Sequence, residues 1–120
     1  MALLQKINVI SGSSGALTSA ADYSLGITLP AGAKVLHVYF EEDTNCTTSD
    51  GGTAQLQAAG ASGDVALTAA IAAGSVADGE VAVTNGMSIV EASPLQITTA
   101  NNFTAGAITV YVAYIHGSDV

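Results

Sequence analysis

Cys46, His37 and His116 are the residues of this sequence best suited to nucleophilic chemistry. A catalytic thiol needs a base within hydrogen-bond reach, and the spacing sets neither histidine beside Cys46. The same three residues make a thin metal set, with none of the close pairs of a zinc site. His37 falls within a strand pattern, on the face of Val35 and Tyr39, where a half-buried, hydrogen-bonded histidine is expected. His116 precedes the tail Gly117-Ser-Asp-Val120. Two histidines that met in space would form a pH switch.

Glu41, Glu42 and Asp43, with Asn45 and Asp50 beyond them, form the densest acidic cluster. Paired carboxylates serve calcium binding and glycoside hydrolysis. The spacing lacks the Asp-x-Asp-x-Asp-Gly pattern, and the absence of Trp removes the platforms of a sugar cleft. The cluster therefore reads as a solvated loop, with Glu41, Glu42, Asp43 and Asp50 as a candidate loop contact or weak cation site. Ser11-Gly-Ser-Ser-Gly15 has the glycines of a phosphate cradle but no following lysine, and it fails the nucleophile-elbow pattern too. It reads as a hinge or turn. No catalytic residue, cofactor or metal ligand is assigned, and the chain is read as a non-enzyme.

The elements that position these residues are strands. Val35–Phe40 is a β-branched and aromatic run. Thr53–Ala58 alternates, with Ala54, Leu56 and Ala58 inward. Tyr23, Leu25, Ile27 and Leu29 share one side of a strand that Pro30 ends. Leu95–Thr99 is a further short strand. Ala107–His116 is apolar on both faces, as a central strand is. Asn85-Gly86 predicts a hairpin between 81–84 and 87–90. Residues 65–73 are alanine-rich, with Asp64 as N-cap and Gly74 as terminator, and predict one short helix. The fold class expected is all-β: an antiparallel β-sandwich, jelly-roll-like, with that helix added. Residues 1–15 are read as an N-terminal arm or strand and hinge, and 16–120 as a single sandwich domain.

Composition narrows the function. The 120 residues carry 2 Lys+Arg against 10 Asp+Glu, a net charge of −8, and there is no arginine. Nucleic acid and anionic membranes both require a basic footprint, so neither is an expected partner. No apolar run reaches the length of a membrane span. One cysteine makes no internal disulfide, and the basic-then-apolar layout of a signal peptide is missing, so synthesis in a reducing cytosol without export is expected. The apolar half is built from small side chains, including 22 Ala. A core of small residues leaves a monomer marginal, a deficit that oligomerisation repairs. Leu3, Leu4, Ile7, Val9 and Ile10 put more apolar surface on the arm than a loose tail carries, and are the candidate inter-subunit contacts.

One series of features resembles a known class. A strand, Lys34–Phe40, is followed by the acidic, Thr-rich 41–52. The alternating strand Thr53–Ala58 follows, then Gly60-Ala-Ser-Gly-Asp64, an Ala-rich segment and a small hairpin. Ala105–Ile115 closes it. Over about residues 34–116 the series resembles the small virion structural proteins of tailed bacteriophages, of the capsid decoration or cement type. The resemblance implies a non-enzymatic subunit on the outer capsid surface. Its partners are then the major capsid protein and itself, as a homotrimer. An acidic protein suits the outside of a head, since packed DNA repels it from the inside. A tail, connector or spike-associated subunit, and a jelly-roll module binding carbohydrate or a cation, stand as alternatives. Light scattering at two concentrations should return about three times the 11.8 kDa chain mass. A stable monomer counts against assembly that completes the core.

Overall fold

The computed structural model describes residues 6–84 and 89–116. Among the described residues there are nine strands: β1 (Ile7–Ser13), β2 (Asp22–Leu29), β3 (Ala33–Thr48), β4 (Thr53–Gly60), β5 (Gly63–Ala66), β6 (Ile71–Ala72), β7 (Gly79–Val81), β8 (Ser93–Ala100) and β9 (Phe103–His116). They form two antiparallel sheets. The first has the order β1-β9-β3-β7, and the second β2-β8-β4-β5, with β6 also paired to β4. Strands therefore pair from the outside of the chain inward: β1 with β9, β2 with β8, β3 with β7, β4 with β5. A chain folded back on itself at residues 61–62 and rolled into two sheets gives this nesting, and it is the connectivity of a jelly roll.

The expected alternation sets which side chains turn inward. Ala54, Leu56 and Ala58 of β4 are buried, as are Leu95 and Ile97 of β8 and Leu25 and Leu29 of β2. Ile108, Val110 and Val112 of β9 meet Val38 and Phe40 of β3 in the same layer. The longest strand, β3, has 16 residues. At about 3.3 Å per residue it spans nearly the whole 55 Å axis of the molecule.

One local expectation fails, and a second lies partly outside the described residues. The Ala-rich segment 65–73 is not helical. Val65 and Ala66 end β5, Ile71 and Ala72 form β6, and Ala73–Ser75 is a single 3-10 turn. Its backbone is taken by neighbours instead. Leu67 N–H donates to Leu56 O at 2.9 Å, and Ala73 N–H donates to Gly52 O at 3.0 Å. The Thr68 hydroxyl accepts from Leu56 N–H, and the Gln55 amide donates to Thr68 O. Two or three turns of alanine have too little stability of their own to compete with these bonds. The Asn85-Gly86 turn and residues 87 and 88 lie outside the described residues, and the described parts of its flanks bond elsewhere. Val81 pairs with Val38 in β7, Thr84 N–H donates to Leu67 O, and Ile89 exchanges backbone bonds with Gly32 and Ala33. Each flank has found a partner in a different part of the sandwich.

The described part of the N-terminal arm, Ile7–Ser13, is an edge strand paired along β9 of the same chain. Ile10 packs against the core, while Ile7 and Val9 face out. The strand crosses β2 so closely that a Cβ on Gly12 would lie 2.0 Å from Leu25 O. At the other end, Pro30–Ala33 is a tight turn closed by Ala33 N–H to Pro30 O at 3.1 Å, with Gly32 at φ 88° in the position that needs positive φ. Gly12→Ala must separate two backbones, because no flexible side chain can give way. It should lower stability by about 2 kcal/mol or more, a fall of several degrees in the melting temperature. An unchanged melting temperature would show that β1 and β2 are not in this contact.

Candidate interaction surface

The three residues suited to nucleophilic chemistry are kept apart. Cys46 lies inward on β3 and is buried. Burial, with the Glu42 carboxylate beside it, pushes its thiol from 9.0 up to about 11. This is the reverse of an activated nucleophile. His37 points outward, its Nδ1 2.5 Å from Glu80 Oε2 on β7. It does not share a face with Val35: a bulge between Val35 and His37 adds a residue and reverses the alternation. His116 reaches the Ala31 carbonyl oxygen at 2.6 Å, at the far end of the sheet from Cys46.

The carboxylates of 41–50 are each held by their own chain. Glu42 Oε2 accepts Cys46 N–H at 2.9 Å, and Asp43 Oδ2 accepts the Thr109 hydroxyl at 2.5 Å. Glu41 Oε1 faces the Tyr111 hydroxyl at 3.4 Å and raises the pKa of that phenol. Asp50 Oδ1 accepts Asn102 N–H at 3.2 Å and closes the loop beside it. Among the described residues no group of three or more His, Cys, Asp or Glu is gathered as metal ligands would be. Ser13 and Ser14 of the glycine-serine segment serve the backbone. Ser14 N–H donates to Ile108 O, and its hydroxyl accepts Ile108 N–H.

What the fold does assemble is a surface. The register brings Ile7, Val9, Ser11 and Ser13 of β1 beside Ile115, Ala113, Tyr111 and Thr109 of β9. Those in turn lie beside Lys34, His37, Tyr39 and Glu41 of β3. All of them are on the outer face of the first sheet. Ile7 and Val9 are 61% and 63% exposed, and Tyr39 is 45% exposed. Tyr39 and Tyr111 are directly opposed and meet edge to face, ring centres 6.1 Å apart. Cations stand at one end of this face, with Lys34 beside Ile115. Carboxylates stand at the other, with Glu41 beside Thr109 and Asp43 bonded to it.

The second sheet turns a different face to solvent. Gln96 donates to Gln57, Gln57 to Gln55, and Gln55 to Thr68 O, so a row of amides runs across β8 and β4. Its polar groups are paired with one another. The first sheet's face is the apolar and aromatic one, and it is the candidate contact surface. Of the residues expected at inter-subunit contacts, Ile7 and Val9 lie on this face, Ile10 packs against the core, and Leu3 and Leu4 lie outside the described residues. The rest of the surface was present as the apolar second face of β9, which only the exposure of that face turns into a surface.

No family model and no curated protein matches the chain. Solved structures do. A chain in the capsid asymmetric unit of cyanophage Pam1 is 26% identical, with a TM-score of 0.59, over 93% of this chain and 86% of that one. A chain in the capsid of Ralstonia phage GP4 is 16% identical, with a TM-score of 0.62, over 93% and 85%. One in the acid-stable capsid of Helicobacter pylori bacteriophage KHP30 is 12% identical, with a TM-score of 0.58, over 93% of each. The structural neighbours are thus chains of phage capsids, and they share this sandwich along nearly its whole length.

The thiol yields a pH signature. Its folded value lies above the unfolded one, so its contribution is complete below pH 9.0 and is lost as pH rises toward about 11. Urea midpoints taken across that range should fall more steeply for the wild type than for Cys46→Ala. Parallel slopes would place Cys46 in contact with water.

Proposed function

We propose that this chain is a non-enzymatic structural subunit of a phage virion, a cement or decoration protein on the outer capsid surface. In this reading it binds the major capsid protein across neighbouring capsomers, associates with itself as a homotrimer, and stabilises the filled head. The observation that carries the reading is the correspondence with chains of three phage capsids over 93% of this sequence. Those neighbours are themselves covered to between 85% and 93%, so they are chains of nearly this size and not large proteins with one similar domain.

The physical properties fit the role. The mechanism is mechanical: contact between subunits adds binding free energy that internal DNA pressure must overcome before capsomers part. Such contact favours surfaces whose desolvation is cheap. Uncharged Ile, Val, Ala and Tyr side chains on the first sheet supply one. A net charge of −8 suits the outer surface, since packaged phosphates repel it from the interior. The buried thiol, the internally bonded carboxylates and the separated histidines leave the functional work to surfaces.

Filled heads lacking this subunit should rupture at a lower temperature than complete heads, and adding the purified protein back should restore the difference. Equal rupture temperatures with and without it would end the cement reading.

A further inference from the structure

We propose that β1 is the docking edge of the subunit. An extended segment of a different protein, apolar at alternate positions and acidic at one end, adds to it as a fifth strand of the first sheet. The inference rests on the virion reading above and names the contact by which the chain is held.

Three of the four sheet edges are blunted in the ways that prevent strand addition. β7 has three residues, one of them Glu80, and β3, which it covers only over Val38–Phe40, is interrupted by four register shifts along the rest of that edge. β5 has four and carries Asp64. β2 is broken by a register shift between Ser24 and Thr28, where Gly26 sits at φ 72°. β1 has none of these devices. Its seven residues, Ile7–Ser13, include no proline and no charge, and they pair with β9 without a shift.

The direction of its backbone groups follows from one bond. Ser14 N–H donates to Ile108 O at 2.8 Å, in register with the ladder. With a period of two, Asn8, Ile10 and Gly12 aim their backbone groups at β9. Ile7, Val9 and Ser11 turn theirs to the open side. The exposed side chains of Ile7 and Val9 then form the rim against which a new strand lays its own apolar residues.

The occupant is not a second β1. Antiparallel self-pairing over the full strand sets Ile7 against Ser13 and Val9 against Ser11, so neither apolar residue meets another. Both lysines of the sequence stand at the Ile7 end: Lys6 precedes β1, and Lys34 shares the row of Ile115 and Ile7. A carboxylate at the matching end of the incoming strand complements them.

Hydrogen exchange of 6–13 is compared between the free chain and the chain in purified virions. Binding of wild type and Val9→Pro to heads lacking the subunit is measured beside it. Val9→Pro removes an outward N–H and leaves the ladder to β9 intact, so its melting temperature should stay close to that of the wild type. Exchange should slow at least about tenfold in the virion. Val9→Pro should bind at least about tenfold more weakly than wild type. Unchanged exchange in the virion overturns the proposal, whether or not Val9→Pro folds, as does equal binding by a folded variant. Slow exchange already present in the free oligomer makes the occupant a second copy and also overturns it. Slowed exchange in virions, with no binding of wild type to such heads, ends the cement reading but leaves the edge assigned. Absence of the chain from virions overturns both.

Discussion

The ladder between β3 and β9 carries the architecture. It runs from Ala33 opposite His116 to Thr48 opposite Phe103, and it joins segments far apart in the chain. Such pairing gains nothing until a long loop is closed, so it forms only with the packing that rewards it. One face of the ladder supplies Val35, Val38, Phe40, Ile108, Val110 and Val112 to the core. The other supplies Tyr39 and Tyr111 to solvent. β1 and β7 hang from its two sides, and the second sheet closes the interior beneath it. The bulge at Val35/His37 decides which residues of β3 belong to which face.

Small side chains shape the rest. Ala33, Ala54, Ala58 and Ala73 are buried among a few large residues, with Phe40 and Phe103 the only aromatic rings fully enclosed among the described residues. No tyrosine is fully enclosed: Tyr39 is exposed, while Tyr23 and Tyr114 pack partly against the core. The Tyr23 hydroxyl accepts Thr18 and Ser19 N–H and donates to Ser19 O, pinning the segment that leads into β2. The Ser19 hydroxyl beside it lowers the pKa of the phenol. With two cationic side chains in the sequence, carboxylates turn to backbone and hydroxyl donors, and they tie loops where salt bridges do so elsewhere.

Function follows from what these bonds leave over. Polar groups with reactive potential are spent inside the chain, and the second sheet satisfies its amides in a row of its own. Among the described residues, the apolar outer face of the first sheet and the outer edge of β1 lie outside these bonds.

Much of this was legible in the sequence. Period-two alternation and β-rich runs located β2, β4, β8 and β9, and on β4 the inward residues too, because alternation is local and the pleat obeys it directly. Composition set the expectation of partners other than nucleic acid and membranes, because charge needs no coordinates. Tertiary contact decided the rest. Residues 65–73 lost their helix to the edge of β4, and His37 changed faces because a bulge is a property of two strands and not of one. The contact surface was readable only as scattered apolar residues on β1, β3 and β9. The sequence determined which residues must lie on one side of a strand. Only the pairing of distant strands decided which of those sides was covered and which was left exposed.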